Sequence, residues 1–128
     1  MTISIQVSPG ELIDKMTILE VKLARMSDPA KLVNVRREHD MIAQTFRENV
    51  ANIPALATLI AELKATNSAL WTIEDEIREH ERKGDFGESF VKLARSIYRI
   101  NDERAAIKRR INILLGSAIV EEKSYSGY

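Results

Sequence analysis

The chain has 128 residues, nineteen basic and nineteen acidic, with hydrophobic residues at 45%, aromatics at 5% and no cysteine. That length supports one helical domain over residues 1–128 with its own core. Charge balance argues against a dedicated nucleic-acid or anionic-membrane binder, and the lack of cysteine excludes disulfides, thiolate catalysis and zinc–thiolate sites. The opening MTISIQVSPG lacks a basic region followed by an apolar run, and no apolar run approaches membrane-spanning length. The expected location is therefore the cytoplasm.

Residues Thr2 to Val7 alternate, with Ile3, Ile5 and Val7 apolar, and read as a short strand or extended arm with one buried face. Ser8-Pro9-Gly10-Glu11 is a helix start: Ser8 as N-cap, Pro9 at the first position and Glu11 completing a capping box. Gly10 costs helix propensity there. The first helix runs to about Met26 on the stripe Leu12, Met16, Leu19, Leu23, Met26. Asp28-Pro29 opens the second, whose stripe Leu32, Val35, His39, Ile42, Phe46 puts His39 at a core-type position. Pro54 opens a third helix that extends to about Lys83 and closes on Gly84.

Asp85 is expected to cap the fourth helix, with Glu88 completing a second capping box and Gly116 ending it. Its seam is Phe86, Phe90, Leu93, Ile97, Ile100, Arg104, Ile107, Ile111, Leu114. Arg104 stands where an aliphatic residue belongs. The tail from Ser117 to Tyr128 opens on Ala118-Ile119-Val120 and is polar beyond.

Short loops make successive helices antiparallel neighbours. The expected fold is an all-α antiparallel four-helix up-down bundle with a longer helix 3–helix 4 hairpin, a short N-terminal extended arm and a C-terminal tail. At 1.5 Å per residue the last two helices are each about 45 Å long and the first two about 30 Å. The longer hairpin overhangs at the Trp71–Phe90 end, and an apolar overhang points to a homodimer.

Folding the hairpin about Gly84 sets Asn101 level with Asn67 and Arg104 one turn further on. Glu20 then lies level with Arg104 and is the expected carboxylate partner, since a buried arginine without one is costly. This predicts a polar layer of Glu20, Thr66, Asn67, Asn101 and Arg104. It serves either to fix helix register or, through the guanidinium fork, to bind a small anion. A second candidate site is the corner where Asp14, Lys15 and Lys108 meet a folded-back tail with Glu121, Glu122, Lys123 and Tyr125. There the arm and Ile119-Val120 either pair as a ribbon or leave the terminus frayed.

Neither His39 nor His80 follows a glutamate by three residues, so the di-metal bundle pattern is absent and no metal is expected. No Gly-rich phosphate loop or nucleophile motif occurs, and no cofactor is expected.

The segments from Ser8 to Lys22, Leu70 to Arg78, Ile97 to Lys108 and Gly116 to Tyr125 resemble a small bacterial and phage-borne helical family of unknown function. The resemblance implies a stand-alone helical protein, implies no activity, and suggests a link to surface-polysaccharide gene clusters. The expectation is a non-enzymatic binding or scaffold module, with a small-molecule site for an anionic or sugar-nucleotide-like ligand as the alternative.

Overall fold

The computed structural model describes residues 1–128 and contains four helices and no strand. They are α1 (Pro9–Arg25), α2 (Pro29–Asn49), α3 (Pro54–Lys83) and α4 (Glu88–Leu114). Proline opens the first three, where its missing N–H leaves no helical bond unmade. Ser8 caps α1 by accepting from the Glu11 N–H at 3.1 Å, and Asp28 caps α2 by accepting from the Ala30 N–H at 3.0 Å. α3 and α4 end in Schellman turns on Gly84 (φ 67°) and Gly116 (φ 65°). Their bonds run from the Asp85 N–H to the His80 carbonyl at 3.0 Å, and from the Ser117 N–H to the Asn112 carbonyl at 2.9 Å.

Two expected capping boxes are not completed. Asp85 does not cap α4, which starts after Gly87. Its N–H closes α3, and its carboxylate accepts from the Gly87 N–H at 3.2 Å in an Asx turn that delays the helix. Glu11 does not reach back to Ser8; its carboxylate is bound by Lys108 at 2.6 Å.

The α3–α4 hairpin is the longest pairing, α1 lies against it, and α2 packs against α1 alone. α1 is thus the central element. It buries Leu12, Ile13, Asp14, Met16, Thr17, Leu19 and Val21, whereas α2 buries none of its residues. The core is Ile13, Leu56, Leu63, Ile107 and Ile111, with Phe46, Leu59 and Leu115 packed at its edge. Truncating a fully enclosed side chain such as Leu63 to alanine costs about 2–5 kcal/mol.

α1 ends where Arg25 donates to the Ser68 hydroxyl at 2.8 Å. Beyond Leu70 the hairpin stands alone, and from Trp71 to Ala106 no residue is buried. The α4 seam is therefore enclosed only at Ile107 and Ile111. Two helices cannot surround a seam without a third.

The arm Thr2–Val7 is extended but has no buried face: every residue is exposed, Ile3 and Ile5 at 78%. No ribbon forms with the tail, whose contacts are with α4 and with the Ser8 cap rather than with the arm.

Candidate functional site

The N-terminus of α1 is held against α4 by contact at van der Waals limits. The Gly10 N–H donates to Asn112 Oδ1 at 2.7 Å. A Cβ on Gly10 would lie 2.7 Å from the Lys108 carbonyl oxygen, so only glycine permits this approach. Ser8 is 1% exposed and uses both capacities of its hydroxyl. It accepts the Glu11 N–H and donates to Glu121 Oε1 of the tail at 3.0 Å.

Beneath this junction lies a buried polar network. Asn67 Nδ2 donates to Asp14 Oδ1 at 2.9 Å and to the Thr17 hydroxyl at 3.0 Å. Thr17 in turn donates to the Asp14 carbonyl at 2.9 Å. The other Asp14 oxygen faces Lys108 Nζ at 3.6 Å. Lys108 also meets Glu11 at 2.6 Å and Glu121 at 3.7 Å, with its side chain 14% exposed. Burial alone would lower its pKa. The Glu11 hydrogen bond and the charges of Asp14, Glu11 and Glu121 outweigh that, and the net shift is upward.

The Gly116 turn sends the tail back along α4. Glu121 sits by Lys108, Glu122 lies 3.8 Å from Arg109, and Lys123 lies 4.0 Å from Asp102. Tyr128 donates its hydroxyl to Asp102 Oδ2 at 2.6 Å and packs edge-on to Tyr98. Between helix and tail is an open cavity of about 450 Å³, within the usual range for small-molecule sites. Asn101, Arg104, Lys108 and Asn112 line it from α4, and Glu122, Lys123 and Tyr125 from the tail. Arg104 is half-buried there and makes no hydrogen bond or ion pair within the chain.

A family model for DUF6165, a family of unknown function, matches residues 3–128. The chain belongs to DUF6165. No curated protein and no solved structure matches it. No helix is long and apolar enough to cross a membrane.

In this DUF6165 chain the predicted polar layer is divided among three places. Glu20 does not pair with Arg104: it forms an ion pair with Lys64 of α3 at 3.2 Å and lies 3.3 Å from His39 Nε2 of α2. The Thr66 hydroxyl donates to the Glu62 carbonyl of its own helix. Asn67 belongs with Asp14, while Asn101 and Arg104 face the tail. Level along an axis does not mean the same side of it. Of the corner, Lys108, Glu122 and Tyr125 line the cavity and Asp14 lies behind them, 3.6 Å from Lys108, while Lys15 leaves it for Glu38 on α2 at 3.4 Å. Adjacent residues on a helix point about 100° apart, so Asp14 and Lys15 cannot face one neighbour. Sequence reasoning missed the Ser8–Glu121 and Tyr128–Asp102 bonds, which depend on the tail's path and leave no periodic trace.

Proposed function

We propose that the protein is a non-enzymatic binding module that takes a small anionic ligand into the cavity between α4 and the tail. One observation carries the reading. Lys108, Arg109 and Lys123 each have an acidic partner, and Arg104, facing the same cavity, has none. A guanidinium offers a planar fork suited to carboxylate or phosphate, and Asn101 adds an amide three residues before it. Binding fits better than catalysis. Lys108 is held protonated by its carboxylates and is no base, and the Ser117 hydroxyl donates to the Ile119 carbonyl with no base beside it. The cysteine-free composition suits a reducing compartment, and we assign the protein to the bacterial cytoplasm.

The test is a thermal-shift screen with inorganic phosphate, nucleotides, nucleotide sugars and small carboxylates, run on the native chain and on Arg104→Met. A ligand that raises Tm in the native chain and not in the variant supports the reading. Equal shifts in both, or none in either, overturns it. Nucleotide sugars test the suggested link to surface polysaccharides.

A second part of the reading is self-association through the distal hairpin. Trp71, Ile73, Ile77, Phe90, Leu93 and Ile97 form an apolar seam, half-buried between the two helices, over which no third element lies. Glu88 to Ala106 rises about 28 Å, and two helices side by side present a face about 20 Å wide. Two such faces remove roughly 1,100 Å² from water, just above the ~1,000 Å² that a biological interface clears and in the size class of weak, transient ones. Sedimentation equilibrium should give a dimer for the native chain and a monomer for Ile77→Glu; a native monomer at all concentrations sinks the idea.

A further inference from the structure

Resting on the anionic-ligand reading for what it encloses, we infer that the tail is a strap that opens and closes the cavity, and that Asp102 is the positioning residue that holds it shut. The two walls of the cavity are built differently. Asn101, Arg104, Lys108 and Asn112 stand on α4, a helix seated against α1 and α3. The facing wall, with Glu122, Lys123 and Tyr125, belongs to a segment in which every residue from Ala118 onward is exposed. Beyond Ser117 that segment makes no backbone–backbone hydrogen bond. Side chains alone hold it to the helix, and the ion pairs Glu122–Arg109 and Lys123–Asp102 are solvent-exposed at both ends. Pairs of that kind stabilise little and are screened by salt.

The ties gather on one carboxylate at the end of the strap away from the Gly116 turn. Asp102 Oδ1 faces Lys123 Nζ at 4.0 Å, and Oδ2 accepts from the Tyr128 hydroxyl at 2.6 Å. Tyr128 is seated there by the edge of Tyr98, with ring centroids 5.1 Å apart, and by Arg99 over its ring at 5.8 Å. Asp102 does not itself line the cavity. It stands two residues before Arg104, so the two side chains leave α4 about 200° apart. The strap is clasped on one flank of the helix, and the guanidinium reaches the cavity from the other. Freeing Asp102 therefore releases the tail wall while leaving the anion-binding group untouched. A ligand that touches both walls binds the closed form, and its apparent affinity scales with the closed fraction.

The chain has no cysteine, so Ser124→Cys gives the full protein one labelling site, exposed and outside the cavity lining. A nitroxide there reports tail mobility by electron paramagnetic resonance. The labelled chain shows a slow component at low salt, which shrinks in 1 M NaCl as the ion pairs are screened. Asp102→Ala removes most of it, Tyr128→Phe removes part, and Glu103→Ala, an exposed α4 neighbour with no bond to the tail, leaves it intact. Circular dichroism confirms that each variant keeps its helices. Equilibrium dialysis against inorganic phosphate then gives an affinity that falls in Asp102→Ala by the same factor as the slow component. Equal mobility in the parent and in Asp102→Ala overturns the strap, as does Arg104-dependent phosphate binding that Asp102→Ala leaves unchanged. A clasp seen by the label with no Arg104-dependent phosphate binding overturns the anionic reading and leaves the strap standing.

Discussion

Gly10 and Asn112 are joined by a 2.7 Å hydrogen bond across 102 residues of sequence, and the absence of a side chain on Gly10 is what lets them meet. Alanine at position 10 gains at most about 1 kcal/mol of helix propensity. It also sets a Cβ against the Lys108 carbonyl, a backbone atom that cannot swing aside. Overpacking of that kind costs about 1–3 kcal/mol, so the clash wins. Gly10→Ala should lower the urea midpoint, while Gly127→Ala, whose Cβ meets nothing within 4 Å, should leave it unchanged.

Asn67→Ala should destabilise by about 1–3 kcal/mol, because Asp14 is 4% exposed and loses its amide donor. Asn67→Asp should be worse at neutral pH, since it sets a second carboxylate against the first. Protonating one of that pair relieves the repulsion. Denaturation at pH 7 and pH 4.5 should therefore show the Asp variant closing part of its gap to the Ala variant in acid.

Lys108 makes stability fall in alkali. Its folded-state pKa is raised above the usual 10.5 by Glu11, Asp14 and Glu121 acting against burial. A raised lysine pKa means that the charged form stabilises the fold. That contribution is complete below the unfolded-state value and disappears as pH climbs through the folded one. Denaturant midpoints measured from pH 8 to pH 12 should fall above about pH 10.5. Lys108→Met should be less stable at pH 8 and should show a shallower fall, the remainder belonging to other groups such as Tyr128.

α2 should be the first helix to open. It packs on α1 alone and buries none of its residues, and its polar ties are His39 to Glu20 and Lys15 to Glu38. Native-state hydrogen exchange should show α2 amides exchanging well before those of α1, which lies between its neighbours. Protection of α2 equal to that of α1 would contradict this packing.

The helix limits other than the start of α4 were legible because proline, glycine and capping residues act locally: Pro9, Pro29, Pro54, Gly84 and Gly116 all stand where the structure uses them. Arg104 was legible as an exception to a regular spacing, and Lys108 as a member of the Asp14 corner. Its neighbours were harder to read. Counting residues from a turn gives height along a helix but not rotation about it, which is how Glu20 was assigned to Arg104 and Asn67 was separated from Asp14. Gly10 held an unread signal. A glycine inside a capped first turn opposes helix formation, and close approach of another backbone is a physical reason for one there.

The central position of α1 has a kinetic consequence. The α3–α4 hairpin forms from contacts close in sequence, and α1 meets α2 just as locally, but its seat against α4 closes only over a long loop, as the 102-residue span from Gly10 to Asn112 shows. Loop closure over that distance is entropically costly and slow compared with hairpin formation. During synthesis α1 emerges early, yet its docking surface on α4 is made near the end. α1 therefore precedes the α4 half of its seat, and until α4 is made the part of its apolar stripe that α4 covers is open to other chains.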